Sequence, residues 1–564
     1  MSLLVAAFIR IGFLAVLLLA AGTGSAWADK KTVCSITVGS ADEKESFRRH
    51  LPEDQFEFVE LVERGRPDWL ASSCRKGVRC DVLLVSGHFD DGSEFYSGRL
   101  DARESLPVDE LQRASCSASC PALFSQLKEV YLFGCNTLDA GARRSASGEI
   151  GRSLLRAGYS PVDAERASLA LNERYGESNR DRMRQIFPGV PIIYGFSSKA
   201  PLGAAAGPML ERYFQSNAGT EIGTGRVNPK LVGLFAASSM TTASGLGASE
   251  PQAQFRSDVC RLADDRSPAA QKLDFVHRFL QREMSEVRMF LDHLEAYVGA
   301  LGETERQTPS VAKVLAEIAR DEPARAKYLA FARDADSPAV RARMLSLARN
   351  LSWLSAAEER AEQSRMIADL IAKDAVGEAE VGLVCALNED GALGRERDRL
   401  SVSAAQTGKV RNAAVLACLG DAESHAQMLG ALASANDEEV ALAQVYLHHR
   451  PIADAMELRS VAASITRMKG SESQVRALDA LARYRLADRE SLEDLARAFV
   501  VAKSVAVQRA IAGVLVRADY GAIASAELVR SLREHRVKTR DGEDLVDVLI
   551  RRLQNAVERP KQGA

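Results

Sequence analysis

Two continuously apolar runs, residues 82–85 and 130–133, constrain the fold of this 564-residue chain more than any other feature. A strand with one face in water alternates apolar and polar side chains, and these runs do not alternate. They are typical of strands that helices cover on both faces, as in a parallel sheet. Strand patterns occur at residues 32–38, 56–62, 81–86, 129–133 and 190–194. Because helical patterns separate them, at residues 40–50, 149–157 and 164–174, the sequence predicts a doubly wound α/β domain with a mostly parallel sheet.

Composition divides the chain into this α/β part and a helical part. The α/β pattern extends over residues 29–240, and residues 241–256, rich in Ser, Thr, Ala and Gly, are predicted to be a linker. Beyond the linker the strand patterns end, and Ala, Leu, Arg and Glu dominate. We expect a helical connector over residues 257–335, helical repeats over residues 336–557 and a polar tail over residues 558–564.

A weak internal repeat marks the helical part. Polar segments followed by a valine-led helical pattern recur at Val340, Val410, Val440, Val475 and Val507. The spacings are 70, 30, 35 and 32 residues, and the first gap is long enough for two units. The pattern resembles HEAT repeats, in which stacked helix pairs build a solenoid that binds protein partners. The alternative is a helical bundle without repeats.

The first 28 residues have the organisation of a secretory signal. Arg10 precedes an apolar run over residues 11–21, and Ala26-Trp27-Ala28 fits the small-x-small rule for signal peptidase. The run is shorter than the roughly 20 residues that span a bilayer, although an uncleaved anchor is the alternative. We therefore expect cleavage after Ala28, export to the periplasm and no membrane span in the mature protein.

Export changes how the nine cysteines are interpreted. In an oxidising compartment cysteines pair, and an odd number leaves one thiol free. Our hypothesis is that Cys116 and Cys120 pair with each other or with Cys74 and Cys80, which leaves Cys135 free. A zinc site built from the same four cysteines is the alternative. Two further cysteines, expected to be plain buried core residues of the helical part, are Cys385 and Cys418.

A histidine and a cysteine follow the two apolar runs. The first run leads into Ser86-Gly87-His88, and the second leads into Gly134-Cys135-Asn136-Thr137. Ligands of open parallel sheets bind beyond the carboxyl ends of the strands. If both strands belong to one parallel sheet, His88 and Cys135 emerge at the same edge. An imidazole beside a thiol is the minimum required for catalysis by a thiolate nucleophile.

This pair of motifs resembles the caspase-like cysteine peptidases, and most closely their bacterial CHAT-domain branch. In that family a strand ends in Gly-His or Ser-His, a Gly/Leu-rich hairpin follows, and the next strand ends in Ala-Cys-Asn-Thr. The resemblance covers roughly residues 81–213. It implies that Cys135 is the nucleophile and His88 the general acid and base. CHAT domains are often joined to helical repeats, as here.

Two positions depart from the family's pattern. Phe89 follows His88, where the family usually has the Gly whose backbone N–H helps to hold the oxyanion. Gly134 precedes Cys135 in place of the usual Ala. The backbone at Phe89 and Gly134 is the expected oxyanion site. Because Phe89 can alter that backbone, a degenerate, inactive domain is the alternative.

Polar residues beside the motifs are candidates for a substrate pocket. Carboxylates that could face a basic P1 side chain are Asp90, Asp91 and Asp139. Ser197 and Ser198 follow a predicted strand that should neighbour the site, and they are a candidate pocket wall. The alternative for each carboxylate is a loop cap or a solvated charge.

Composition and motifs together limit the function classes. A net charge of −3 without a basic run gives no reason to expect a nucleic-acid partner. A redox thiol protein is disfavoured because the chain has no Cys-x-x-Cys. We predict an exported cysteine endopeptidase that acts on protein or peptide and has no metal or other cofactor. The alternative is an inactive scaffold that binds another envelope protein.

Overall fold

The structure is a computed structural model that divides into two compact units, Met1–Glu317 and Ile318–Ala564. It describes residues 30–61, 70–89, 92–98, 104–141, 147–176, 178–216, 218–395, 409–469, 471–537 and 544–558. The predicted signal peptide and residues 559–564 of the predicted tail lie outside this description.

A six-stranded sheet forms the centre of the first unit in the described residues, with the order β2-β1-β3-β6-β7-β8. β1, β2, β3, β6 and β7 pair in parallel, and β8 pairs with β7 in the antiparallel direction. A separate antiparallel hairpin consists of β4 and β5. The strands are β1 (Lys31–Thr37), β2 (Phe56–Glu60), β3 (Val82–Ser86), β4 (Glu94–Tyr96), β5 (Ser105–Pro107), β6 (Glu129–Phe133), β7 (Ile192–Phe196) and β8 (Met240–Ala243).

Helices cover both faces of this sheet. Thirteen helices lie wholly within the described part of the first unit: α1 (Asp42–His50), α2 (Ala71–Arg75), α3 (Val108–Cys116), α4 (Ser147–Arg156), α5 (Pro161–Tyr175), α6 (Asn179–Ile186), α7 (Gly203–Gln215), α8 (Pro229–Leu234), α9 (Gln252–Ala263), α10 (Ala269–Leu280), α11 (Met284–Met289), α12 (Leu291–Ala300) and α13 (Glu303–Arg306). Val85 and Leu132 pack with α2, α3 and α6 on one face. Leu84 and Tyr131 pack with α1, α7 and α8 on the other. Burial on both faces explains why β3 and β6 are apolar at every position but their ends.

The predicted α/β fold with a mostly parallel sheet, followed by a helical part, is confirmed. Each predicted strand has its counterpart, in β1, β2, β3, β6 and β7. The predicted linker over residues 241–256 was wrong, because β8 (Met240–Ala243) completes the sheet and α9 begins at Gln252. The first unit extends to Glu317, so the predicted connector over residues 257–335 belongs mostly to it.

The second unit is helical throughout its described residues. α14 (Pro309–Arg320) contains the division between the units, and α15 (Glu322–Arg333) follows it. The remaining helices are α16 (Pro338–Asn350), α17 (Ala356–Ala372), α18 (Glu378–Leu387), α19 (Val410–Cys418), α20 (Ala422–Ala431), α21 (Asp437–His449), α22 (Ala455–Thr466), α23 (Ser471–Leu481), α24 (Arg489–Val501), α25 (Val505–Arg517), α26 (Ala526–His535) and α27 (Leu545–Glu558).

These helices stack in two rows. In one row α21, α23, α25 and α27 contact each other in turn, and in the other row α20, α22, α24 and α26 do so. The repeated valines lie in the first turns of their helices, and Val440 and Val507 are buried between neighbours. Polar N-caps set the start of many helices: the Asn436 and Ser504 side chains accept hydrogen bonds from the first turns of α21 and α25.

Eight of the nine cysteines, all of which lie in described residues, form disulfides. The pairs are Cys34–Cys80, Cys74–Cys120, Cys116–Cys260 and Cys385–Cys418, and Cys135 is free. The prediction for Cys116 was wrong, since its partner Cys260 lies 144 residues away on α9. Cys385 and Cys418 are buried, as expected, but they also pair. Four disulfides are typical of a protein that folds in an oxidising compartment.

In the part of the chain that the structure describes, no helix has the length and apolarity needed to cross a bilayer.

The contribution of the Cys385–Cys418 disulfide to the stability of the second unit can be tested by removing it. It closes a loop of 33 residues, so replacing both cysteines with alanine should destabilise this unit by roughly 3–4 kcal/mol. The measurement is urea unfolding followed by the fluorescence of Trp353, which is buried in this unit. Cys135→Ala, which removes a thiol but no disulfide, is the control. An unchanged unfolding midpoint in the double variant would show that the two cysteines do not pair.

Candidate active site

The pairing of β3 with β6 brings the two predicted catalytic residues to one sheet edge. These strands are parallel neighbours, and Ser86 lies opposite Phe133 at their carboxyl ends. His88 lies two residues beyond Ser86, and Cys135 lies two residues beyond Phe133. Since neighbouring strands are about 4.8 Å apart, both residues leave the sheet at adjacent positions.

The β4–β5 hairpin holds His88. The His88 and Tyr96 backbones exchange two hydrogen bonds of 2.9 Å each, in an isolated antiparallel bridge. The two side-chain rings also stack, with centroids 5.3 Å apart. A Cβ placed on Gly98 would lie only 2.9 Å from His88 Nε2, so glycine at this position leaves room for the ring. The histidine is therefore fixed by a hairpin that folds back over its loop.

Cys135 is half-buried, and its sulfur contacts the segment before α7. The Ala200 backbone N–H donates a hydrogen bond to Cys135 Sγ over 3.3 Å. Ala200 lies three residues before Gly203, the first residue of α7. An N–H donor beside a sulfur stabilises its anionic form, which is the form that attacks an electrophile. In the described residues no hydrogen bond joins Cys135 to His88; such bonds often form only once substrate is bound.

The turn after Cys135 has a restrained, uncommon backbone. Asn136 has a positive φ of 58°, a region that asparagine tolerates better than most residues. Its N–H donates to Ser198 O over 2.7 Å, and its carbonyl accepts from Asn179 Nδ2 over 2.9 Å. The Arg180 N–H donates to Asp139 O over 3.0 Å. The end of β7 and the start of α6 thus hold this turn from two sides.

The two departures from the family's pattern contact each other. Phe89 is fully buried and packs on Phe95, with ring centroids 4.6 Å apart. A Cβ placed on Gly134 would lie 2.8 Å from Phe89 Cβ and 2.9 Å from Gly87 O. The residue before Cys135 therefore has no room for alanine, because both the Phe89 side chain and the Gly87 carbonyl oxygen occupy the space that its methyl group would need. No described residue accepts a hydrogen bond from the Phe89 N–H.

The predicted pocket residues differ in their positions. Ser197 and Ser198 are exposed beyond β7, and Ser198 contacts the Cys135 turn through its carbonyl. Asp139 lies in the same turn, where its carboxylate accepts a hydrogen bond of 3.0 Å from Gly141 N–H. This contact is that of a loop cap, the alternative considered for this residue. Asp90 and Asp91 lie outside the described residues.

Sequence analysis missed a buried carboxyl group near this edge. Glu43 on α1 is only 3 % exposed, and its Oε2 has no hydrogen-bond partner in the described part of the chain. Burial raises the pKa of Glu43 to about 7, partly offset by hydrogen bonds from its own backbone and from the Ser86 side chain. Ser86 ends the strand that carries His88. A glutamate on an amphipathic helix gives no sequence signal that it turns inward.

Comparison with known proteins adds no evidence on function. No protein-family model, curated protein or solved structure matched the chain. The chemistry of the site must therefore be argued from its geometry and from the local motifs around His88 and Cys135.

The contact between Phe89 and Gly134 predicts a coupled pair of substitutions. Gly134→Ala should destabilise the first unit by about 1–3 kcal/mol, because the new methyl group overlaps both Phe89 Cβ and the Gly87 carbonyl oxygen, and only the first overlap depends on residue 89. In the background Phe89→Gly, which itself costs about 3–5 kcal/mol through lost core packing, the same change should cost at least about 1 kcal/mol less. Urea unfolding of the four proteins measures this difference.

Gly151→Ala is a control for the steric argument. Gly151 lies inside α4, and a Cβ placed there would contact nothing within 4 Å. Alanine should therefore stabilise this helix by about 0.5–1 kcal/mol. Equal costs of Gly134→Ala in both backgrounds would contradict the proposed overlap.

The raised pKa of Glu43 predicts that the stability of the fold depends on pH. The folded protein keeps a proton on Glu43 that the unfolded chain releases between its ordinary pKa of 4.5 and about 7. Stability should therefore fall as the pH rises through this window, by up to about 3 kcal/mol. Glu43→Gln lacks this titration, and its stability relative to wild type should increase between roughly pH 5 and pH 8. Urea unfolding at a series of pH values measures this free energy. The control is Glu45→Gln, at an exposed position of the same helix, whose stability should depend on pH as that of wild type does.

Proposed function

We propose that this protein is an exported cysteine endopeptidase of the caspase-like group, with Cys135 as the nucleophile and His88 as the general acid and base. One observation carries the proposal: Cys135 is the only unpaired cysteine of nine, and it lies at the sheet edge where His88 also emerges. A chain that pairs eight cysteines but keeps one thiol free, at the sheet edge that also carries His88, is typical of a protein that uses that thiol as a reactive group.

The order of elements supports the resemblance to CHAT domains. β3 ends next to Gly87-His88, the β4–β5 hairpin follows, and β6 leads into Cys135-Asn136-Thr137. This is the order of strand, histidine, hairpin, strand and cysteine in the family's pattern. The hairpin also contacts His88 directly. The local motifs and the elements that present them thus agree.

The contacts suggest a role for each group in peptide cleavage. Cys135 gives its proton to His88, and its Sγ, which accepts a hydrogen bond from the Ala200 N–H, attacks the carbonyl carbon of the peptide and forms a C–S bond. The peptide C–N bond breaks, and the leaving amine takes that proton from His88. Water then attacks the thioester and gives a proton to His88, the C–S bond breaks, and the carboxylic acid product leaves while Cys135 is restored as the thiolate. The Phe89 N–H and the backbone at Gly134 are the proposed donors to the oxyanion.

The surroundings of Cys135 also suggest where substrate binds. Ser197 and Ser198 are exposed beside the turn that carries Cys135, and they would form one wall of the pocket. Asp139, and Asp90 by its place in the sequence, are the proposed carboxylates for a basic side chain. The substrate would be a protein or peptide, and the reaction as written requires no metal or other cofactor.

The second unit would bind a protein. Its two rows of stacked helices support the proposed HEAT-like solenoid, and solenoids of this kind present extended surfaces to protein partners. The disulfides and the N-terminal signal motif support a periplasmic location, with cleavage after Ala28. A second candidate function is an inactive scaffold for another envelope protein, which Phe89 favours because it replaces the glycine of the family's oxyanion segment.

Alkylation tests the proposed dyad without a known substrate. Iodoacetamide should label Cys135 rapidly near neutral pH, and His88→Ala should slow this labelling at least about tenfold, because the imidazolium no longer favours the thiolate. The measurement is the labelling rate of the Cys135 peptide by mass spectrometry. His50→Ala is the matched control, since His50 is bonded to Ser46 O on α1. Slow labelling that is insensitive to His88 would contradict the proposal.

A cleavage assay distinguishes the two candidate functions, an endopeptidase and an inactive scaffold. Incubation of the purified protein with a peptide library should yield cleavage that is lost in Cys135→Ala, whose unfolding midpoint should be unchanged. Binding of a partner by the helical unit, with no cleavage in wild type or variant, would instead support the scaffold.

A further inference from the structure

We infer that Asn179, the first residue of α6, is a positioning residue that holds the nucleophile Cys135 in its reactive conformation. The inference rests on the proposed function, because it assigns a role relative to the proposed nucleophile. Nothing in the sequence motifs around His88 or Cys135 points to Asn179, which lies 43 residues beyond Asn136.

The first observation is the contact between Asn179 and the turn after Cys135. Asn179 is 4 % exposed, and its Nδ2 donates to the Asn136 carbonyl over 2.9 Å. The carbonyl belongs to the residue that directly follows the nucleophile. A side-chain amide that is buried against one backbone carbonyl restrains the peptide group to which that carbonyl belongs.

The second observation is the backbone at Asn136. Its φ of 58° lies in the left-handed region, which costs a residue with a side chain about 1–2 kcal/mol. Such a conformation persists only where its surroundings hold it. The Ser198 carbonyl holds the N–H side of Asn136, and the carbonyl side accepts from the Asp139 N–H over 3.1 Å within the turn and from Asn179 Nδ2 outside it.

The third observation is the unpaired oxygen of Asn179. Since two oxygens repel, the amide must turn Nδ2 towards the Asn136 carbonyl, which fixes the direction of Oδ1. Oδ1 is buried and has no hydrogen-bond partner among the described residues. Burying an acceptor without a partner destabilises a fold, and such groups are rare. The amide thus keeps its contact with the Asn136 carbonyl although that contact leaves Oδ1 unpaired among the described residues.

Loss of this contact should change the reactivity of Cys135. Without Asn179 the Asn136 peptide can relax towards negative φ, and rotation there moves the adjoining Cys135 backbone. Cys135 Sγ would then lose its contact with the Ala200 N–H, now 3.3 Å. The effect should therefore appear in the pH dependence of the thiol's reaction.

The experiment is the pH profile of iodoacetamide labelling at Cys135 in the full-length mature protein. Asn179→Ala should move the midpoint of the profile upward by about one pH unit, the size expected when a thiolate loses one hydrogen bond. Asn179→Ser, which keeps a polar residue at the start of α6 but cannot reach the Asn136 carbonyl, should give the same shift. If Asn179→Ala does not fold, the Asn179→Ser variant alone provides the test.

Ser178→Ala is the matched control. Ser178 caps the same helix by accepting a hydrogen bond of 3.0 Å from Asp181 N–H, and in the described residues no hydrogen bond joins it to the Cys135 turn. Its loss should lower the unfolding midpoint but leave the labelling profile in place. An unchanged profile in both Asn179 variants, or an equal shift in Ser178→Ala, would overturn the inference. Failure of the proposed function is separate, because it would appear as insensitivity of wild-type labelling to His88→Ala.

Discussion

The parallel pairing of β3 with β6 is the constraint on which the candidate site depends. Because Ser86 and Phe133 end their strands in register, two loops that lie far apart in the sequence begin side by side. A shift by one residue would turn every side chain of a strand to the opposite face. Because both faces of β3 and β6 are buried, an apolar and polar alternation does not set this register, and the close packing of particular side chains on each face must do so. The core of the sheet thus sets the relative positions of His88 and Cys135.

The same fold keeps the free thiol apart from the disulfides. Cys34, Cys80, Cys74 and Cys120 all lie in the cluster on the α2–α3–α6 face of the sheet. Cys135 Sγ instead contacts Ala200, which packs with the cluster on the opposite face. A cysteine at a strand end can thus remain reduced in a disulfide-rich domain, because the neighbouring cysteines have nearer partners on the other side.

The sequence predicted what depends on local pattern and missed what depends on distant contact. Continuous apolar runs revealed the buried parallel strands, and the residues that follow two of these runs pointed to His88 and Cys135. Most of β8 was interpreted as part of a linker because its sequence is rich in Thr and Ala. This composition is explained by its position at the sheet edge, where three of its four residues are half-buried. The partner of Cys116 lies 144 residues away, and spacing alone does not select it. Glu43 and Asn179 went unnoticed for the same reason: only the folded chain brings them to Ser86 and Asn136.

The departures at Phe89 and Gly134 bear on whether the site has decayed. Considered separately, each weakens the resemblance to an active peptidase. In the fold the two positions contact each other, since a Cβ on Gly134 would lie 2.8 Å from Phe89 Cβ and 2.9 Å from the Gly87 carbonyl oxygen. Glycine at position 134 therefore lets the segment before Cys135 approach the segment after His88 closely, despite the bulk of Phe89. If the backbone N–H groups of these two segments hold the oxyanion, as proposed, this close approach preserves their ability to converge on one oxygen atom.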